Sequence, residues 1–194
     1  MEGLSDGLTS ASDYFGRAEE RREYAIRSSR EIIRRSKKII HSIHEGDDYS
    51  LDAEKISREV RTMVSDLKDE TYLLYSGPAA DAMSEYAEAA ILGGMLKNGA
   101  VPSHETLGIP EPSWALGLAD TVGELRRIVL KRLMAGEIEM ALSAYSMMEE
   151  VTDGILLFDV PDAVVPMRRK QDIARGVMER TRSDIAIAMV MSKK

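Results

Sequence analysis

From about Asp13 to His44 the chain carries one long helical pattern that no proline breaks, the first proline being Pro78. At 100° per residue, Ile26, Ile32, Ile33, Ile39, Ile40 and Ile43 share one arc of that helix. Arg27, Arg30, Arg34, Lys37 and Lys38 share a different one, offset only by Glu31. A helix this long with a single apolar stripe needs other helices beside it, and the remaining sequence supplies them. Turn signals at Glu45-Gly46-Asp47-Asp48, Ser76-Gly77-Pro78, Asn98-Gly99, Ala135-Gly136 and Phe158-Asp159-Val160-Pro161 separate the later segments. Between them the pattern predicts helices over about Leu51–Tyr75, Ala79–Lys97, Ser113–Met134, Ile138–Thr152 and Val165–Val190. VPSHETLGIPEP, with Pro102, Pro110 and Pro112, reads as a loop. No run alternates like a strand, so the expected fold is all-α: one domain over 1–194, an antiparallel bundle of about six to seven helices.

Composition removes several function classes. There is no cysteine, which excludes disulfides, thiolate metal sites and thiol nucleophiles, and leaves carboxylates and three histidines as ligands. No apolar stretch reaches the roughly twenty residues that span a bilayer, and Met1 to Asp6 is acidic, unlike a signal peptide. A cytoplasmic, non-membrane protein is expected. A net charge of −7 argues against indiscriminate duplex binding over the whole surface. It leaves open the placement of the basic residues, and the stripe on the first helix reads either as a solvated face or as a rail for phosphates.

Two acidic pairs interrupt otherwise small and apolar helices. Glu85 and Glu88 lie at i, i+3 in SEYAEAA, and Asp120 and Glu124 at i, i+4 in GLADTVGE. Four acids converging in a groove raise one another's pKa values unless a cation sits between them. An all-oxygen set suits Mg2+ or Mn2+, and such sites commonly serve phosphoryl transfer or phosphodiester hydrolysis. The structural alternative is a salt-bridge network in which Arg126 and Arg127 neutralise the pair beside them. Asp81 reads as a helix N-terminal residue, and His41 and His44 as surface or interfacial residues, since no second Glu-x-x-His unit accompanies them. No Walker A motif, dinucleotide fingerprint or nucleophile elbow is present.

These residues resemble the translin family, and within it the translin-associated factor X (TRAX) branch. The resemblance is carried by Ser29-Arg30-Glu31-Ile32, Ser36-Lys37-Lys38 and Ile43-His44, by Glu85-Tyr86-Ala87-Glu88-Ala89, and by Gly117-Leu118-Ala119-Asp120 with Gly123-Glu124-Leu125-Arg126. Leu107-Gly108-Ile109-Pro110-Glu111-Pro112 and Arg168-Arg169-Lys170 extend it over nearly the whole chain. It implies a translin-like helical bundle assembling into a hollow, roughly octameric shell around nucleic acid. It also implies a magnesium-dependent endoribonuclease whose catalytic acids are Glu85, Glu88 and Asp120, with Glu124 as a further metal ligand. Translin-type chains lack the Glu-Tyr-x-Glu-Ala acids, so their presence points to the catalytic branch. The long insertion between the third and fourth helices of larger TRAX proteins is missing, which implies a self-sufficient homo-oligomer.

The expected activity is cleavage of single-stranded RNA, with DNA as an alternative ligand: Arg27, Arg30, Arg34, Lys37 and Lys38 hold phosphates while the acids hold Mg2+, or Mn2+ in its place. With two Phe and one Trp, stacking is a minor source of affinity, so binding should be salt-dependent and weakly sequence-specific. Two other readings compete. One is a non-catalytic shell binding single-stranded RNA or DNA. The other is an all-α nucleotide pyrophosphohydrolase, against which the Asp-x-x-x-Glu spacing of the second pair counts.

Overall fold

The computed structural model describes residues 3–191, so Met1 and Glu2 of the acidic start lie outside the described residues. Among the described residues there are eight helices and no strand: α1 (Leu4–Glu45), α2 (Ser50–Asp66), α3 (Thr71–Leu74), α4 (Gly77–Asn98), α5 (His104–Leu107), α6 (Glu111–Met134), α7 (Ile138–Leu156) and α8 (Met167–Met191). None is long and apolar enough to cross a membrane. The all-α expectation holds, with six long helices and two single turns.

Helices α4 and α6 form the centre. α4 lies between α1 and α6, α2 packs on α1, and α7 and α8 cover α6 and touch each other. α4 suits this position because it is dominated by small and apolar side chains, and Ala79, Ala82, Met83, Ala87, Ala89, Ile91 and Leu92 are all buried. α1 buries the expected stripe through Ile32, Ile39 and Ile40, with Ile33 and Ile43 packed at its edge.

The boundaries differ from the sequence pattern in three places. α1 begins at Leu4 rather than Asp13, and its 42 residues make it about 63 Å long. Its buried residues start only at Ala25, so the first half has no core to face, and its apolar residues Leu4, Leu8, Tyr14 and Phe15 stay exposed. The helix expected over Leu51–Tyr75 is divided. The N–H of Leu67 closes onto Met63 O at 3.0 Å, the chain turns, and the single turn α3 brings Leu74 into the core. Third, the proline-punctuated loop contains α5, where the Thr106 N–H donates to Ser103 Oγ and Gly108 closes the turn in the left-handed region.

Candidate functional site

The two acidic pairs meet because α4 and α6 approach each other closely at one point. A Cβ at Gly117 would lie 2.5 Å from Ser84 O, 2.6 Å from Ala87 Cβ and 2.8 Å from the Glu88 nitrogen, so only glycine fits there. Small hydroxyl residues flank the crossing and satisfy themselves on nearby carbonyls: Ser84 and Ser113 donate to Ala80 O, and Thr121 to Gly117 O. Asp120 and Glu124 follow Gly117 by one and two turns and so fall on the same flank of α6. That flank faces the turn of α4 bearing Glu85 and Glu88.

Glu88 registers the result. It is half-buried and, among the described residues, makes no hydrogen bond or ion pair, and its pKa is pushed up to about 8 by burial first, then by the charges of Asp120, Glu124 and Glu85, with Lys170 opposing them. The charges of Asp120, Glu124 and Glu85 are therefore all felt at Glu88, beside the α4–α6 crossing. Of the two arginines expected to neutralise them, only Arg127 pairs with one of the acids. Arg126 points away, donating to Thr181 Oγ1 at 2.7 Å and Asp184 at 2.9 Å, where it ties α6 to α8. Arg127 reaches Glu124 only at 3.8 Å.

Two residues from the ends of other helices take that role. Lys170, in the first turn of α8, donates from Nζ to Asp120 Oδ1 at 2.5 Å. His44, in the last turn of α1, is buried with its Nε2 against Glu124 Oε2, so it is neither a surface residue nor independent of the acids. A carboxylate only accepts, hence Nε2 carries the proton of that bond, and the buried Nδ1 has no partner. Lys131 holds the α1 terminus in place by donating to His44 O at 2.5 Å.

The donors are hard oxygens of the kind Mg2+ or Mn2+ takes, and the half-buried Glu88 carboxylate, facing three other acids, is a group that a divalent cation would neutralise. The chemistry of the set fits such an ion. The side-chain placement is different: among the described residues no three His, Asp or Glu side chains are grouped so as to hold one. Asp120 and Glu124 are directed to Lys170 and His44 instead.

The basic stripe divides in two. Arg34 pairs with Glu31 at 2.7 Å and Lys38 with Asp52 at 2.7 Å, and the hydrogen bond from Lys38 is the main reason Asp52 sits below the usual carboxylate range. Arg27, Arg30 and Lys37 are exposed and make no ion pair among the described residues. Arg35 was not among the expected residues and is the hub: it donates to Glu31, Asp52 and Glu59 at 3.0–3.3 Å and ties α1 to α2. Arg30, Lys37 and His44 are spaced by seven residues, a step that returns to nearly the same bearing on a helix. The free cations Arg30 and Lys37 thus form a line along α1 that ends at the residue touching Glu124. This heptad is readable in the sequence, but only the His44–Glu124 contact gives it a destination.

Residues 20–181 match the Translin family. The chain belongs to the Translin family. A relative in Methanocaldococcus jannaschii, the uncharacterized protein MJ0175, is 32% identical over 182 residues, covering 93% of this chain and 82% of that protein. Among solved structures, AfC3PO superposes on this Translin-family chain with a TM-score of 0.85 at 27% identity, covering 96% of this chain and 99% of that one. A complex of AfC3PO with duplex RNA gives 0.76 at 29% identity, with 95% and 97% covered. Apo-NeC3PO gives 0.82 at 23% identity, with 97% and 98% covered, which supports the fold alone.

Proposed function

We propose that this chain is a TRAX-like, metal-dependent endoribonuclease that cleaves single-stranded RNA. The observation that carries the reading is the Glu88 carboxylate, half-buried, without a partner among the described residues and facing three further acids on α4 and α6. A structural salt-bridge network would leave no acid in that condition. Glu85, Glu88, Asp120 and Glu124 are the residues that would hold Mg2+, or Mn2+ in its place. When bound, the ion supplies polarisation of a phosphate oxygen and a water of lowered pKa. The chain's own part is to orient those oxygens through the α4–α6 crossing and to lead the strand along Arg30 and Lys37 toward them. Arg27, Arg34 and Lys38 contribute to the same field, the last two less because they are already paired.

RNA as the polymer is supported by the likeness to AfC3PO, which has been solved with duplex RNA. That complex makes strand preference a point for experiment, with single-stranded RNA, single-stranded DNA and duplex RNA tested in parallel. A homo-oligomeric, octamer-like shell in the cytoplasm completes the reading. Its interior would be lined by the free cations, in keeping with an outer surface that is acidic on balance.

A second reading has one observation in its favour: Asp120 and Glu124 are engaged by Lys170 and His44, as in a non-catalytic shell that binds nucleic acid through α1. One assay separates the two. End-labelled RNA is incubated with the protein in Mg2+ and in EDTA, alongside Glu85→Ala, Glu88→Ala and Asp120→Ala. Cleavage that needs Mg2+ and is lost in the variants supports the nuclease. Retention of RNA without cleavage supports the shell, and activity unchanged in all three variants refutes the assignment of the acids.

A further inference from the structure

Lys170 sits on a rigid base with a mobile arm. Met167, three residues before it, is buried, and Gln171, the next residue, donates to Ile155 O at 2.9 Å and Phe158 O at 2.8 Å. The first turn of α8 is therefore pinned to the end of α7, and only the four-carbon stem of Lys170 is free to change course. Its side chain is 32% exposed and that of Asp120 37%, so the contact borders solvent. The contact is also redundant as a clasp, because Arg126 already joins α6 to α8 through Thr181 and Asp184. Arg168 and Arg169, on the same turn, are exposed and make no ion pair among the described residues.

We propose that Lys170 is an internal competitor for the divalent ion: its ammonium and the ion share Asp120, and the ion binds by displacing the ammonium into solvent. This rests on the reading of the four acids as metal ligands. The placement of Asp120 supports it, since its carboxylate is turned toward Lys170. Glu88 supports it too, because Lys170 opposes the three acids at that carboxylate and so faces the same centre. Exchange conserves the neutralisation of Asp120 and frees the ammonium to meet a phosphate at the solvent border. Nucleic acid and metal are then linked. A phosphate that draws Lys170 away from Asp120 tightens metal binding, and by reciprocity the metal tightens phosphate binding at this turn.

The test is titration of Mn2+ into the full-length protein without RNA, followed by calorimetry, with Lys170→Met and Lys170→Arg beside the wild type. Removing a cation that both competes with and repels the ion should lower the Mn2+ Kd by about ten-fold in Lys170→Met. Lys170→Arg keeps the charge and should stay near the wild-type value. Equal or weaker binding by Lys170→Met, with Mn2+ bound normally by the wild type, overturns the proposal while leaving the metal site standing. Binding by neither protein overturns both. The wild type alone gives a second measurement should Lys170→Met not fold. Amine acylation read by mass spectrometry should modify Lys170 faster in Mg2+ than in EDTA, relative to Lys131, and an unchanged ratio overturns the exchange.

Discussion

Replacing Glu88 with Gln should stabilise the protein in EDTA, and only above mildly acidic pH. Glu88 has its carboxyl pKa raised from 4.5 to about 8 in the folded protein, by burial and by the charges of Asp120, Glu124 and Glu85. The folded state therefore holds a proton that the unfolded chain has already released, and stability falls as pH rises from the unfolded value to the folded one. Below that window wild-type Glu88 is protonated in both states, and Gln, of nearly the same shape, should change little. Integrating the two titrations from about pH 5 to about pH 9 gives a loss of about 4 kcal/mol in the wild type that the variant escapes. For a chain of this size that is roughly 10 °C in Tm. The assay is a pair of thermal melts in EDTA at the two pH values, for wild type and Glu88→Gln. Equal melting temperatures near pH 5 and a variant advantage near pH 9 are expected. A difference independent of pH would refute the reasoning, because a packing effect does not titrate. Added Mg2+ should raise the wild-type Tm near pH 9 more than that of the variant.

Three further outcomes follow from the geometry. Gly117→Ala places a methyl group against Ser84 O and the Glu88 nitrogen and must separate α4 from α6, costing about 2–3 kcal/mol in a urea melt; an unchanged midpoint would show that the crossing is looser than described. Arg35→Met leaves Asp52 and Glu59 without their shared partner and should cost about 2 kcal/mol, whereas Lys37→Met, on an exposed and unpaired cation, should stay within about 0.5 kcal/mol. In RNA binding the order reverses. Arg30→Ala with Lys37→Ala should flatten the logarithmic salt dependence by about 1.4, the share of two phosphate contacts on a single strand, and an unaltered slope removes α1 from the interface.

What the sequence determined by itself was local. Helix-forming residues without strand alternation fixed the all-α class, and the spacing of Ile32, Ile39 and Ile40 fixed the buried face of α1, because a 3.6-residue period ties chain position to direction. The same logic paired Glu85 with Glu88 and Asp120 with Glu124 within their own helices. Gly117 and the small residues around it were visible as letters, but a glycine in a helix has many uses, and its use here depends on which carbonyl stands opposite. The tertiary structure decided which cation meets which acid. Arg126 and Arg127 are the nearest cations in sequence to Glu124, yet α8 draws Arg126 away and the site receives Lys170, fifty positions from Asp120, and His44, eighty from Glu124. On α1 the packing of α2 likewise draws Lys38 to Asp52, while Arg34 stays with Glu31 one turn away on its own helix and Arg30 and Lys37 are unpaired among the described residues. Charge interactions act through space at a few ångströms and carry no chain period. Periodicity could place the acids on the correct faces; only the packing of α1, α6 and α8 could choose their partners.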